Sequence, residues 1–133
     1  ILASGILAVS TASAHAGKEN DTFVWSTSTE MDTADIYYGN QREALINAYA
    51  MCDGLLHRDP ITNEFQPLLA TSWEWTNDTT LELELREGVT FHDGTEFDAE
   101  DVAYTLNHVA DPDSDMKIRV LVDWIDSVEK IDE

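Results

Sequence analysis

The sequence is poor in positive charge. Its 133 residues hold 7 Lys and Arg against 27 Asp and Glu, a formal net charge of -20 at pH 7. That balance argues against nucleic acid, whose phosphates would be repelled, and disfavours an anionic membrane surface. A heavily solvated acidic surface accounts for the excess; a saline habitat and a preference for cationic ligands are the other readings composition leaves open. Cysteine is nearly absent. Cys52 stands alone, so no disulfide can close within these residues. Its place on an apolar helical face reads as a buried thiol.

Long hydrophobic runs are also missing. The apolar run at residues 1–9 is too short to cross a bilayer, and it leads into Ala12-Ser13-Ala14 and Ala14-His15-Ala16. Either triplet fits a small-x-small cleavage site, so residues 1–16 read as the remnant of a secretory signal peptide; a buried N-terminal helix is the alternative. A lipoprotein would carry its Cys immediately after the run, where Ala16-Gly17 stands. The mature product is therefore expected to be exported and unanchored. Both ends read as cut: there is no initial Met, and a strand reads as continuing at Ile131-Asp132-Glu133.

Catalytic constellations are absent as well. His15 falls in the leader, and His57, His92 and His108 lie far apart without the spacing of a metal-binding helix. There is no GxSxG, no phosphate-cradling glycine loop and no Cys–His nucleophile motif. Acidic residues are too abundant for any pair to mark a glycosidase dyad. His92-Asp93 reads as turn chemistry, with Asp93 accepting from its own backbone. No catalytic residue, metal ligand or cofactor is expected.

What is present is best ordered over residues 81–110. Leu81, Leu83 and Leu85 alternate with Glu82, Glu84 and Arg86, the period of a half-buried strand. Glu87-Gly88 breaks the run, and Val89 and Phe91 resume the alternation as a second strand. His92-Asp93-Gly94-Thr95 is a turn in which Gly94 is free to take a positive φ. Asp98 is the N-cap of a helix, with Glu100 and Asp101 in its first turn and a Phe97/Val102 staple spacing. Val102, Ala103, Leu106, Val109 and Ala110 form its apolar stripe.

These residues carry a family resemblance. Leu85-Arg86-Glu87-Gly88-Val89, Phe91-His92-Asp93-Gly94-Thr95, Ala99-Glu100-Asp101-Val102 and Tyr104, in that order, resemble the extracellular solute-binding proteins of ABC importers. The branch is family 5, the peptide/nickel-binding type. Asp53-Gly54-Leu55-Leu56, Asp59, Pro67-Leu68-Leu69-Ala70 and Ser72-Trp73-Glu74 agree upstream, as do Leu106-Asn107 and Asp111-Pro112 downstream. Glu96 departs from a common proline, and Ile36-Tyr37-Tyr38 from a frequent Asp-Pro pair. The resemblance implies an α/β, periplasmic binding protein-like fold of type II with an extra domain, represented by its N-terminal part. Residues 17–57 would open the first lobe and residues 58–133 would supply part of the extra domain. The implied role is capture of di- or oligopeptides, or a similar small solute, in the periplasm. The implied partners are permease subunits in the inner membrane, and a monomer is expected. A secreted hydrolase with an acidic site, and a receptor or chaperone using the same fold without transport, are the alternatives.

In chain order, Phe23, Val24 and Trp25 read as a first strand, followed by the polar loop Ser26, Thr27, Ser28, Thr29 and Glu30. Ligands collect beyond the carboxyl ends of strands in open α/β sheets, so this loop is a ligand-contact candidate, an ordinary Ser/Thr turn being the other reading. Tyr37 and Tyr38 can line a cleft, or one can pack inward while the other meets water; the family's use of this region at its cleft favours a ligand role. Asn40 reads as the cap of a helix burying Leu45, Ala48, Tyr49, Cys52, Leu55 and Leu56, with Arg42 and Glu43 outside. Residues 59–63 read as a turn. Trp73 and Trp75 share a strand face that turns at Asn77-Asp78 into Leu81. Residues 120–125 suggest a short helix and residues 127–131 a further strand.

Overall fold

The structure, a computed structural model, describes Asp21, residues 24–39 and residues 41–131. The chain divides into two units, Ile1–Glu30 and Met31–Glu133. In the first, the described residues Asp21 and 24–30 are exposed and belong to no helix or strand.

The second unit holds, in order, helix α1 (Arg42–Met51), strands β1 (Leu56–Arg58), β2 (Phe65–Pro67), β3 (Ala70–Asn77) and β4 (Thr80–Leu85), and helix α2 (Ala99–Ala110). A 3-10 turn at Lys117–Leu121 follows. The strands form two antiparallel hairpins, β1–β2 and β3–β4. Turn chemistry closes each. Between β1 and β2, Asp59 Oδ1 accepts from the Ile61 and Thr62 N–H groups, both at 2.8 Å, while Asn63 takes φ 62°. Between β3 and β4, Asn77 Oδ1 accepts from Thr79 N–H at 2.9 Å. Such side chains replace backbone partners that a tight turn cannot supply. The two hairpins are joined where Ala70 N–H donates to Leu55 O at 2.8 Å and Arg86 N–H to Leu69 O at 2.8 Å.

In the β3–β4 ladder Trp73 faces Leu83 and Trp75 faces Leu81, while Glu74 opposes Glu82. Leu81, Leu83 and Leu85 are half-buried and the glutamates between them exposed, the alternation expected of a strand with one wet face. The like-charged Glu74–Glu82 pair is tolerated because water screens it there. After β4 the turn at residues 92–95 forms as its residues dictate. Gly94 takes φ +88°, and Asp93 Oδ1 accepts from Thr95 N–H at 2.9 Å and Thr95 Oγ1–H at 2.7 Å. Those bonds hold the Asp93 carboxyl below its usual range. α2 begins at Asp98, whose side chain accepts from the Glu100 and Asp101 N–H groups, and Asp101 closes a capping box by accepting from Asp98 N–H at 3.0 Å.

The buried apolar set of the described residues is small: Ala44, Ala48, Ala70, Val109 and Met116. No helix among the described residues is long and apolar enough to cross a membrane.

Several expectations are corrected. α1 is capped at Gln41, without a side-chain cap bond; Asn40 lies outside the described residues, as do Thr22, Phe23, Asp132, Glu133 and the proposed signal remnant at residues 1–16. Glu43, expected outside, is 6% exposed, while Leu45 and Tyr49, expected inside, are 43% and 83% exposed. The helix turns its small residues Ala44 and Ala48 inward and leaves Leu45 and Tyr49 on its wetter side. Cys52 is exposed rather than buried, because α1 stops at Met51 and Cys52 leaves the apolar face in extended conformation. Val89 and Phe91 do not form a strand. The turn closes so soon that only a Thr90–Glu96 bridge fits, and Phe91 instead meets Phe97 edge to face at 5.9 Å. Neither residues 24–26 nor residues 127–131 are strand; in the latter the Val128 N–H and O are taken by the Asn107 carboxamide instead of a ladder. The short helix falls earlier than residues 120–125, at Lys117–Leu121, leaving Trp124 exposed.

Candidate ligand site

The sequence-nominated residues divide between the two units. Ser26, Thr27, Ser28, Thr29 and Glu30 belong to the first, where Thr29 N–H approaches Thr27 Oγ1 at 3.5 Å, the geometry of a loose Ser/Thr turn. Tyr37 and Tyr38 belong to the second, and there a site takes shape.

A run of short-range bonds builds the turn that carries them. Thr33 Oγ1 accepts from Asp35 N–H at 3.1 Å, and Asp35 Oδ1 accepts from Tyr37 N–H at 2.9 Å. The Asp35 carbonyl then takes Tyr38 N–H at 3.3 Å and Gly39 N–H at 3.1 Å. Gly39 is buried here, and an added Cβ would meet Thr33 Cγ2 at 2.9 Å, so only glycine lets the loop fold so closely on itself. From the stretch that follows α2 in the chain, Ile118 N–H reaches Tyr37 O at 3.5 Å and Lys117 Nζ lies 3.9 Å from Asp32.

This turn and α2 enclose an open depression of about 300 Å³ lined by Asp35, Tyr37, Tyr38, Tyr104, Thr105, His108, Val109 and Met116. Val109 and Met116 are buried and Tyr104 is 71% exposed, so the lining is apolar at depth and aromatic at the rim. Tyr104 and His108, one helical turn apart, stack with ring centroids 5.7 Å apart and planes 20° from parallel. Burial pushes the Tyr37 phenol above its usual range, with Asp35 and Cys52 adding to the shift. Tyr37 is therefore a neutral hydrogen-bonding group at any physiological pH.

The sequence named Tyr37 and Tyr38 but not their partners. Tyr104 and His108 at i, i+4 were readable as a shared helix face; Met116 and Asp35 carried no such signal. A second depression of about 200 Å³, lined by Met51, Cys52, Asp53, Leu69, Val89, Thr90, Phe91, His92 and Phe97, holds the one Cys. Among the described residues no group of three His, Cys, Asp or Glu is arranged to hold a metal ion.

Comparison with known proteins places the chain in a family. Residues 64–133 match the family model described as bacterial extracellular solute-binding proteins, family 5 Middle. The chain is 31% identical over 135 residues to the glutathione-binding protein GsiB of Pectobacterium atrosepticum, covering 100% of this chain and 26% of that protein. Its fold is similar to the crystal structure of NikZ from Campylobacter jejuni in complex with Ni(L-His), with a TM-score of 0.67 and 30% identity over 78% of this chain and 21% of that one. The chain thus spans about a quarter of the length of the curated relative it matches. The α/β, periplasmic binding protein-like fold class expected from the sequence is borne out, carried here in part. By its matched motifs, its fold and its identity to these relatives, the chain belongs to the bacterial extracellular solute-binding proteins, family 5.

Proposed function

We propose that this chain is part of the substrate-binding component of an ABC importer, which captures di- or oligopeptides, or a similar small solute, in the periplasm and delivers them to permease subunits in the inner membrane. The observation that carries the reading is the family membership, over residues 64–133, together with the likeness to two relatives named for bound solutes. Glutathione is itself a tripeptide, which favours a peptide over a bare metal ion.

In this reading residues 1–16 are the remnant of a secretory signal peptide, residues 17–57 open the first lobe and residues 58–133 belong to an extra domain. The mature protein acts as a monomer without a lipid anchor. Ser26, Thr27, Ser28, Thr29, Glu30, Tyr37 and Tyr38 contact the solute. The mechanism is capture, with no bond made or broken. A ligand that touches both lobes only when they close stabilises the closed form by its differential affinity. Extended peptides suit such a site because their backbone hydrogen bonds give affinity with little side-chain selectivity.

Calorimetric titration of the intact protein with a set of di- to pentapeptides, followed by mass analysis of the recovered peptide, tests this. Saturable binding with peptide returned unchanged is the expected result. Cleaved peptide would establish the hydrolase alternative instead.

A further inference from the structure

We propose that the depression between the Asp35–Tyr38 turn and α2 is a cation subsite, which takes an ammonium or guanidinium group of the solute among the rings of Tyr37, Tyr38, Tyr104 and His108, with Asp35 as counter-charge. The proposal rests on the capture reading above and names the chemistry of the group captured.

Three observations lead to it. First, the depression gathers three tyrosines and a histidine around about 300 Å³. Aromatic faces carry the negative end of the ring quadrupole, and several rings converging on one small volume attract an organic cation. Tyr104 and His108, their ring centroids 5.7 Å apart, both line it, so α2 contributes two rings to the same depression. Second, among the described residues Asp35 is the only formally charged carboxylate in the lining, and no Lys or Arg lines it. Two bases that closely follow Met116 in the chain are directed elsewhere: Lys117 Nζ toward Asp32 at 3.9 Å, and Arg119 Nε to the Asp111 carbonyl at 2.9 Å. Asp35 Oδ1 is committed to Tyr37 N–H at 2.9 Å, while Oδ2 accepts no hydrogen bond among the described residues. An anion would meet the Asp35 carboxylate and no Lys or Arg among the described lining residues.

Third, the chain carries a formal charge of -20. A field of that sign concentrates cations near the surface before any contact is made. A neutral apolar group would gain from burial against Val109, Met116 and the ring surfaces, but not from the ring quadrupoles or the carboxylate. A cation gains from the same floor and also from the rings and the carboxylate. The volume suits a single head group, such as trimethylammonium, a lysine ammonium or an arginine guanidinium. The cation can belong to a free amine or to a side chain of a bound peptide, and the two sources are separable by experiment.

The test is calorimetric titration of the intact protein at pH 8 with two matched pairs of probes. Choline is compared with its neutral isostere 3,3-dimethylbutan-1-ol, and an N-acetylated lysine tripeptide with its norleucine counterpart. The cation of at least one pair is expected to bind about tenfold more tightly than its neutral partner, and the responding pair identifies the source. Tyr104→Leu and Asp35→Asn are each expected to remove most of that preference, while Tyr104→Phe, which keeps the ring, retains it. Peptide binding with no cation preference in either pair, or a preference unchanged in Tyr104→Leu, overturns the subsite and leaves the capture function standing. Failure of every solute to bind overturns both.

Discussion

Substituting alanine for Gly39 should distort the turn that presents Tyr37 and Tyr38. The new methyl carbon would lie 2.9 Å from Thr33 Cγ2, 3.3 Å from Asp32 Oδ1 and 3.5 Å from Asp35 O. Nonbonded carbons prefer about 3.5–4.0 Å, so the first contact must open by more than half an ångström. Thr33 cannot simply rotate, because its Oγ1 accepts from Asp35 N–H at 3.1 Å and a new χ1 rotamer breaks that bond. Gly39 cannot retreat without stretching its own N–H bond to Asp35 O at 3.1 Å. Overpacking of this kind costs about 1–3 kcal/mol, and the stiffer unfolded chain offsets about 0.4–1 kcal/mol of it. The net expectation is a loss of about 1–2 kcal/mol. Urea titration of the intact protein followed by tryptophan fluorescence reads it as a lower midpoint at unchanged slope. Thr33→Ser keeps the hydroxyl and deletes Cγ2, so Gly39→Ala should cost far less in that background, a coupling a double-mutant cycle isolates. Equal cost in both backgrounds would refute the clash. As a second readout, loosening the turn should let the Tyr37 phenol fall back toward 10.0.

Gly94, by contrast, sits at φ +88° with open space where a side chain would begin, nothing lying within 4 Å. Gly94→Val should cost about 1–3 kcal/mol in the same titration, from backbone strain alone, and Gly94→Asn distinctly less. Asn107→Leu removes both bonds to Val128, Nδ2–H to O at 2.8 Å and Oδ1 from N–H at 2.9 Å; it should cost about 1–2 kcal/mol and speed amide exchange at Val128. Asp93 has its carboxyl held below 3.8 by the Thr95 bonds, so its stabilising contribution is present above that value and lost as pH falls through the lowered folded pKa. Asp93→Asn should accordingly flatten the acid limb of stability against pH in that window, and an unaltered limb would show the bonds do not favour the ionised form.

Legibility followed the range of the interactions. The β3–β4 alternation, the Asp59 and Asp93 turns and the Asp98 cap were readable because the deciding bonds lie within a few residues, where spacing along the chain is spacing in space. α1 was misread because periodicity locates an apolar stripe without saying what lies opposite it: Ala44 and Ala48 turned inward with Glu43, and Tyr49 outward. The stretch around Val128 reads as a strand in the sequence, yet it pairs with the carboxamide of Asn107, a partner no alternation pattern announces. In the site, Tyr37 and Tyr38 stood out as neighbours. Met116 and the Tyr104–His108 stack joined them only through the fold-back of the chain after α2.

That fold-back has a consequence for the order of assembly. Each hairpin closes over a few residues, and α2 is nucleated by its own capping box, so these pieces can organise early and independently as synthesis proceeds. The tyrosine turn must wait. Its outer fastening, the Ile118 N–H bond to Tyr37 O, does not exist until a much later stretch has left the ribosome. The tyrosine turn is therefore seated late in maturation, and a polypeptide halted before Ile118 would carry Tyr37 and Tyr38 without the clasp that holds them.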